Sequence, residues 1–236
     1  MSLQPRIVEV RKNILKQNDI VAAGLRRRFQ SDGIFVMSLV SSPGSGKTFF
    51  LEKMLAMLRP KYRVAALVGD LATENDATRL ARSGAPVKQI TTGTLCHLEA
   101  AMVEQALTGW SVSPLDFLFV ENVGNLVCPS SYDLGENLRA VFMSVTEGED
   151  KPLKYPTIFN GSDIVVITKT DLSEAAQFDS ALLERNLKHV CPERPILYVS
   201  AKTGNGMEQY AKYLEAQIND LRASKKSDSR PVFFGV

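Results

Sequence analysis

Between an apolar run, Ile34 to Val40, and a helix-forming stretch lies Ser41-Ser42-Pro43-Gly44-Ser45-Gly46-Lys47-Thr48. Strand, glycine-bearing turn and helix stand here in the order that a phosphate loop requires. Gly44 and Gly46 let backbone N–H groups approach an anion, at the end of a helix whose peptide dipoles favour negative charge. Lys47 can reach the outer phosphates of a nucleoside triphosphate, the Thr48 hydroxyl suits Mg²⁺, and Ser45 and Phe49 complete the segment. The general pattern opens on glycine, where this chain has Ser41. A phosphate loop of this kind needs a parallel sheet behind it, with ligands gathered at the strands' carboxyl ends.

The remaining sequence supplies such a sheet. Strand-sized apolar runs recur near 34–40, 64–69, 87–91, 116–121, 139–145, 163–168 and 196–200, with helical patterns over 47–59, 74–84, 97–109, 174–188 and 206–222. That alternation predicts an α/β fold, mainly parallel, with helices on both faces. A long amphipathic helix over 6–30 precedes it, and the basic run Arg26-Arg27-Arg28 reads as that helix's solvated face. Residues 1–222 read as one domain and 223–236 as a flexible tail, in which Pro231-Val232-Phe233-Phe234 could dock on the body or another subunit. A net charge of +2 argues against a nucleic-acid partner. No apolar run approaches the roughly 18 residues of a membrane span, and the amino terminus lacks the hydrophobic core of a secretory signal. The expected location is the cytoplasm.

Acids and a base-reading motif follow the strands. Asp70 ends Val64-Ala65-Ala66-Leu67-Val68-Gly69, and Glu121 ends Phe117-Leu118-Phe119-Val120. Both suit Mg²⁺ and the phosphates, although a strand-end acid can also simply cap a turn. In Glu121-Asn122-Val123-Gly124, Gly124 could turn a backbone N–H toward the γ-phosphate. Thr168-Lys169-Thr170-Asp171 resembles the guanine motif Asn-Lys-x-Asp, with Thr168 in place of Asn. An ionised Asp171 accepts the paired donors of guanine, which adenine does not present on that edge. Lys169 would lie along the base and ribose. Ser200-Ala201-Lys202 resembles the segment whose N–H groups meet the base carbonyl. GTP is therefore the expected nucleotide. Asp76 is the candidate to orient the attacking water, with a solvated helix acid as the alternative, and no internal arginine finger is identifiable.

The three cysteines, Cys96, Cys128 and Cys191, are too few for a disulfide framework and odd in number. Cys96 and His97 adjoin at the expected start of a helix, and Cys128 follows Glu121 by seven residues. Thiolate and imidazole suit Ni²⁺ or Zn²⁺, but three ligands leave a shell short, which a two-fold dimer could complete. Read from spacing alone, a buried thiol with a capping imidazole fits equally well. Cys191 and His189 read as structural.

Gly93-Thr94-Leu95-Cys96-His97-Leu98, the stretch Glu121 to Pro129 and the phosphate loop together resemble the hydrogenase nickel-incorporation GTPases of the HypB family, which belong to the SIMIBI class. The resemblance extends to about residue 222. It implies a nickel chaperone of hydrogenase maturation, acting with helper proteins on the hydrogenase large-subunit precursor. It also implies a GTP-dependent homodimer holding Ni²⁺ or Zn²⁺ through the residues matching Cys96, His97 and Cys128. Many members carry an amino-terminal cysteine motif or a histidine-rich stretch; neither occurs here, so nickel storage is not expected. A UreG-like urease accessory GTPase is the related alternative, disfavoured because no Cys-Pro-His run is present. A GTP-gated interaction module with structural zinc is the alternative from another class.

Overall fold

The computed structural model describes residues 6–71, 75–112 and 114–228. Seven strands, β1 Phe35–Ser41, β2 Val64–Asp70, β3 Val87–Thr91, β4 Phe117–Glu121, β5 Leu138–Ser144, β6 Ile164–Thr168 and β7 Ile196–Tyr198, form one sheet. Its order is β3-β2-β4-β1-β5-β6-β7, and every neighbouring pair is parallel. Strands β1, β4 and β6 are buried along their whole length, which is why they read as unbroken apolar runs rather than alternating ones.

Eight α-helices flank them among the described residues: α1 Arg6–Asp32, α2 Lys47–Leu58, α3 Asn75–Ala81, α4 Ala100–Leu107, α5 Lys151–Lys154, α6 Pro156–Asn160, α7 Ser180–Val190 and α8 Met207–Asp228. One face carries α2, α3 and α8, where Phe50, Met54, Tyr210 and Leu214 meet the sheet. The Phe50 ring stands edge-on to Phe142 and Tyr210, each 4.9 Å away. The other face carries α1 and α4 over β1, β2 and β4, and α6 and α7 over β5 and β6. Full burial of each large apolar side chain contributes about 1.5–3 kcal/mol.

Helix α1 buries Ala22, Leu25 and Phe29, a helical spacing. Arg26 departs from the solvated-face reading of its basic run: its guanidinium meets Asp133 at 2.6 Å, while Arg27 and Arg28 remain exposed. Helix α7 begins at Ser180, not near 174, because the Asp179 carboxylate accepts the Leu182 N–H at 2.9 Å and so caps it there. Helix α8 continues past 222 through Asp228, since Ala223 to Asp228 contains no glycine or proline to stop it. Residues 229–236, including the apolar Pro231 to Phe234, lie outside the described residues. Among the described residues no helix is long and apolar enough to cross a membrane.

Candidate functional site

The turn from β1 into α2 has the backbone its glycines allow: Gly44 at φ 74° and Gly46 at φ 91°, the latter capping α2. It borders a cavity of about 580 Å³ whose lining includes Gly44 to Phe49, Asp70, Asp76, Gly124 and Lys169. The β1–β4 register sets Leu39 against Glu121, so the strand-end acid arrives beside the loop. Glu121 is buried, its Oε1 accepting the Thr48 hydroxyl at 2.6 Å and lying 3.6 Å from Lys47 Nζ. Burial pushes its carboxyl above the usual range, opposed by the Lys47 charge and the Thr48 hydrogen bond. Oε2 is buried without a hydrogen-bond partner.

That orphaned oxygen beside a hydroxyl, with Asp70 lining the same cavity, is a set of hard oxygen donors that fits a divalent cation such as Mg²⁺. Asp76 stands in the first turn of α3 at the cavity wall. A Cβ on Gly124 would lie 3.0 Å from Pro43 Cα and 3.1 Å from its nitrogen. Gly124 is thus required for close approach to the loop. Gly124→Ala should push the loop outward and weaken nucleotide binding about tenfold, consistent with the ~1–3 kcal/mol typical of overpacking; a fluorescent-nucleotide titration measures this.

A second cavity of about 210 Å³ opens between Phe49 and Phe50 on one side and Lys169, Asp171, Ala201 and Lys202 on the other. Thr168, where the motif has Asn, donates its hydroxyl to Ser45 O at 2.5 Å, tying the end of β6 to the phosphate loop. Lys169 takes the left-handed region at φ 56°, unusual for a residue with a side chain, and Nζ donates to Gly44 O at 2.6 Å. Asp171 Oδ1 accepts the Ser200 hydroxyl at 2.6 Å, and Oδ2 lies 3.8 Å from Lys202 Nζ. The Ser200 bond leads in holding this carboxyl below its usual range, so it is ionised and an acceptor at neutral pH.

The sulfur and imidazole donors converge on the other side of β1. Cys96, His97 and Cys128 offer ligand atoms all within 4.8 Å of one another. The two cysteines form no disulfide, and their Sγ atoms lie 2.6 Å apart. His97 Nδ1 lies 4.0 Å from Cys96 Sγ, its ring centroid 4.0 Å from that of Tyr132, and Nε2 3.5 Å from Glu99 Oε1. Burial holds the imidazole below its usual range despite Glu99, which leaves it neutral and able to ligate. The helix expected from 97 starts at Ala100, so Cys96 and His97 sit in the loop before it. Cys191 is buried under α7, apart from this group.

The sequence profile of the CobW/HypB/UreG nucleotide-binding domain matches residues 35–198. The hydrogenase maturation factor HypB of Rhizobium leguminosarum bv. viciae is 46% identical over 212 residues, covering 90% of this chain and 71% of that one. This chain belongs to the HypB family. The crystal structure of HypB from Helicobacter pylori in complex with nickel superposes with a TM-score of 0.81 at 39% identity, covering 93% of this chain and 100% of that one. HypB from Archaeoglobus fulgidus gives 0.80 at 35%, covering 86% and 99%.

Two residues lining the phosphate cavity carry contacts to which the sequence motifs assign no role. Asn122 lines the phosphate cavity, and its buried Oδ1 accepts the N–H groups of Val123 at 2.9 Å and Leu98 at 3.0 Å. Arg79 lines the same cavity, with its guanidinium 4.7 Å from the Phe49 ring centroid and Nε donating to Glu52 Oε2 at 2.9 Å. A sequence signal existed for Arg79: it stands three positions after Asp76, hence on the same helical face. For Asn122 the motif gives the place but not the role, because its partner Leu98 is 24 positions away.

Proposed function

We propose that the chain is a GTP-hydrolysing nickel metallochaperone of hydrogenase maturation, in which nucleotide state gates a Cys/His metal site. The observation that carries this reading is the single segment Glu121 to Cys128. Its first residue lies against Lys47 and Thr48 in the phosphate cavity, and its last lies against Cys96. The names of the relatives, hydrogenase maturation factors, and the nickel held by the Helicobacter pylori protein support it.

Lys47 and the turn of Gly44 to Thr48 hold the triphosphate, Asp171 and Lys169 with Ser200, Ala201 and Lys202 read guanine, and Asp76 orients the attacking water. Thr48, Asp70 and Glu121 would hold Mg²⁺, which when bound neutralises phosphate charge. A triphosphate touching Gly124 draws the segment toward Pro43; its loss on hydrolysis releases the segment. The metal ion is cargo, held by Cys96, His97 and Cys128, and either Ni²⁺ or Zn²⁺ suits those donors.

Three ligands leave the cargo's shell incomplete. Leu95 and Val127 flank the two cysteines and are 37% and 62% exposed, an apolar rim that a second copy of the chain would cover while adding its own ligands. This rim supports a GTP-dependent homodimer, and the maturation role of the relatives supports delivery through helper proteins to the hydrogenase large-subunit precursor. A titration with GTP analogue and Ni²⁺ followed by molecular mass tests it: dimer is expected with both present, and a monomer under all conditions would refute the shared site. Cys128→Ala, which removes a direct ligand, should lower Ni²⁺ affinity in a chelator competition by no less than the ~10- to 100-fold that loss of an outer-shell partner costs; an unchanged affinity would remove Cys128 from the ligand set.

A further inference from the structure

We infer that Asn122 is a positioning residue that transmits the state of the nucleotide cavity to the metal-holding loop; the inference rests on the nucleotide gating proposed above. Two residues of the cavity wall grip Leu98, the residue directly after His97. The first is Asn122, only 2% exposed, whose main-chain N–H donates to Leu39 O at 3.0 Å and fixes it beside the root of the phosphate loop. Its side-chain Oδ1 reaches the other way and accepts the Leu98 N–H at 3.0 Å. The second is Gly69, directly before Asp70, where a Cβ would lie 2.7 Å from Leu98 Cγ. The Leu98 side chain, fully buried, fills the place a larger residue would take at the end of β2.

This grip is obligatory. The Leu98 amide is buried and lies ahead of α4, so no helical carbonyl is available to it and Asn122 supplies its acceptor. Any movement of the Asn122 to Gly124 stretch must therefore carry Leu98, and with it His97 and Cys96, or break a buried hydrogen bond. Asn125 adds a weaker strut, its Nδ2 lying 3.4 Å from Cys96 O while its Oδ1 accepts the Val127 N–H at 2.8 Å. The same short segment thus moves Cys128 along the chain and Cys96 with His97 through Asn122.

The test is the ratio of Ni²⁺ affinities of the full chain saturated with a non-hydrolysable GTP analogue and with GDP, measured against a colorimetric chelator. Couplings between sites usually amount to ~5- to 150-fold, and a parent ratio of at least about fivefold is expected. Asn122→Ala should bring it below about twofold, and Asn122→Asp, which keeps the acceptor oxygen, should restore most of it. A parent ratio of one overturns the gating itself. A clear parent ratio that survives in Asn122→Ala overturns the role of Asn122 alone. Independently of any variant, the Leu98 amide of the parent should exchange hydrogen at rates at least about fivefold apart in the two nucleotide states; equal rates overturn the proposal as well.

Discussion

Asp171→Asn is expected to move the nucleotide preference from GTP toward xanthosine triphosphate, with kcat/KM for GTP falling ~100-fold or more. In the parent, Oδ1 accepts the Ser200 hydroxyl at 2.6 Å and keeps a further lone pair, so that it and Oδ2 can both accept from the base. In the variant, the amide oxygen keeps Ser200 and the NH₂ takes the place of Oδ2. Guanine then meets a donor with its own amine, and a donor pair buried against a donor is the kind of mismatch that discriminates by several orders of magnitude. Xanthine presents a carbonyl at that position and accepts the new donor. Initial rates with both triphosphates decide the matter, and an unchanged GTP preference would contradict the guanine reading of this cavity.

Lys47→Ala should reduce GTP hydrolysis by ~100- to 1,000-fold, the effect of removing a charged donor aimed at developing negative charge. Lys47 is 7% exposed and is held 3.6 Å from Glu121, so it is already in place before any nucleotide arrives. Its loss also removes a charge that opposes protonation of the buried Glu121, whose carboxyl is already pushed upward. A neutral Glu121 is a poor ligand for Mg²⁺, so the variant should need more Mg²⁺, and raising the pH should recover part of that deficit. The sign follows from the shift: with the carboxyl titrating above its ordinary range, its ionised form is gained as pH rises. Steady-state phosphate release over a Mg²⁺ and pH series measures both effects. Parent-like turnover would show that the loop of Gly44 to Thr48 does not hold the reacting phosphates.

The sequence made the sheet readable for a physical reason. Strands such as Phe117–Glu121 and Ile164–Thr168 are covered on both faces, so nearly every position is apolar and each run ends where the chain turns polar at the ligand edge. The acids and motif residues are visible because they stand at those ends. Local pattern failed where a distant side chain decides local structure. Leu98 and Glu99 suit a helix, yet Asn122 takes the Leu98 amide and α4 starts only at Ala100. Arg26 looks like its neighbours until Asp133, more than a hundred residues on, pairs with it.

The segment from 146 to 162 gave no pattern because two short helices share it. Pro156 at the start of α6 breaks them apart after Tyr155, leaving neither long enough to display a period. In the candidate site, spacing alone left Cys96 and His97 balanced between a structural and a ligating role. Their approach to Cys128 depends on the β3–β2 and β2–β4 pairings, which bring the loops after β3 and β4 to one sheet edge although the two cysteines are 32 residues apart.

The strand order divides labour across β1. The residues proposed to read guanine follow β6 and β7 on one flank, those proposed to hold the cargo follow β3 and β4 on the other, and the phosphate loop between them touches both, through Thr168 and Lys169 on one side and Glu121 and Gly124 on the other. Such a plan is divisible in evolution: the flank of β2, β3 and β4 can be rebuilt around a different ion, or around no ion, while the reading of guanine stays as it is. A chain of this architecture can change its freight without changing its fuel.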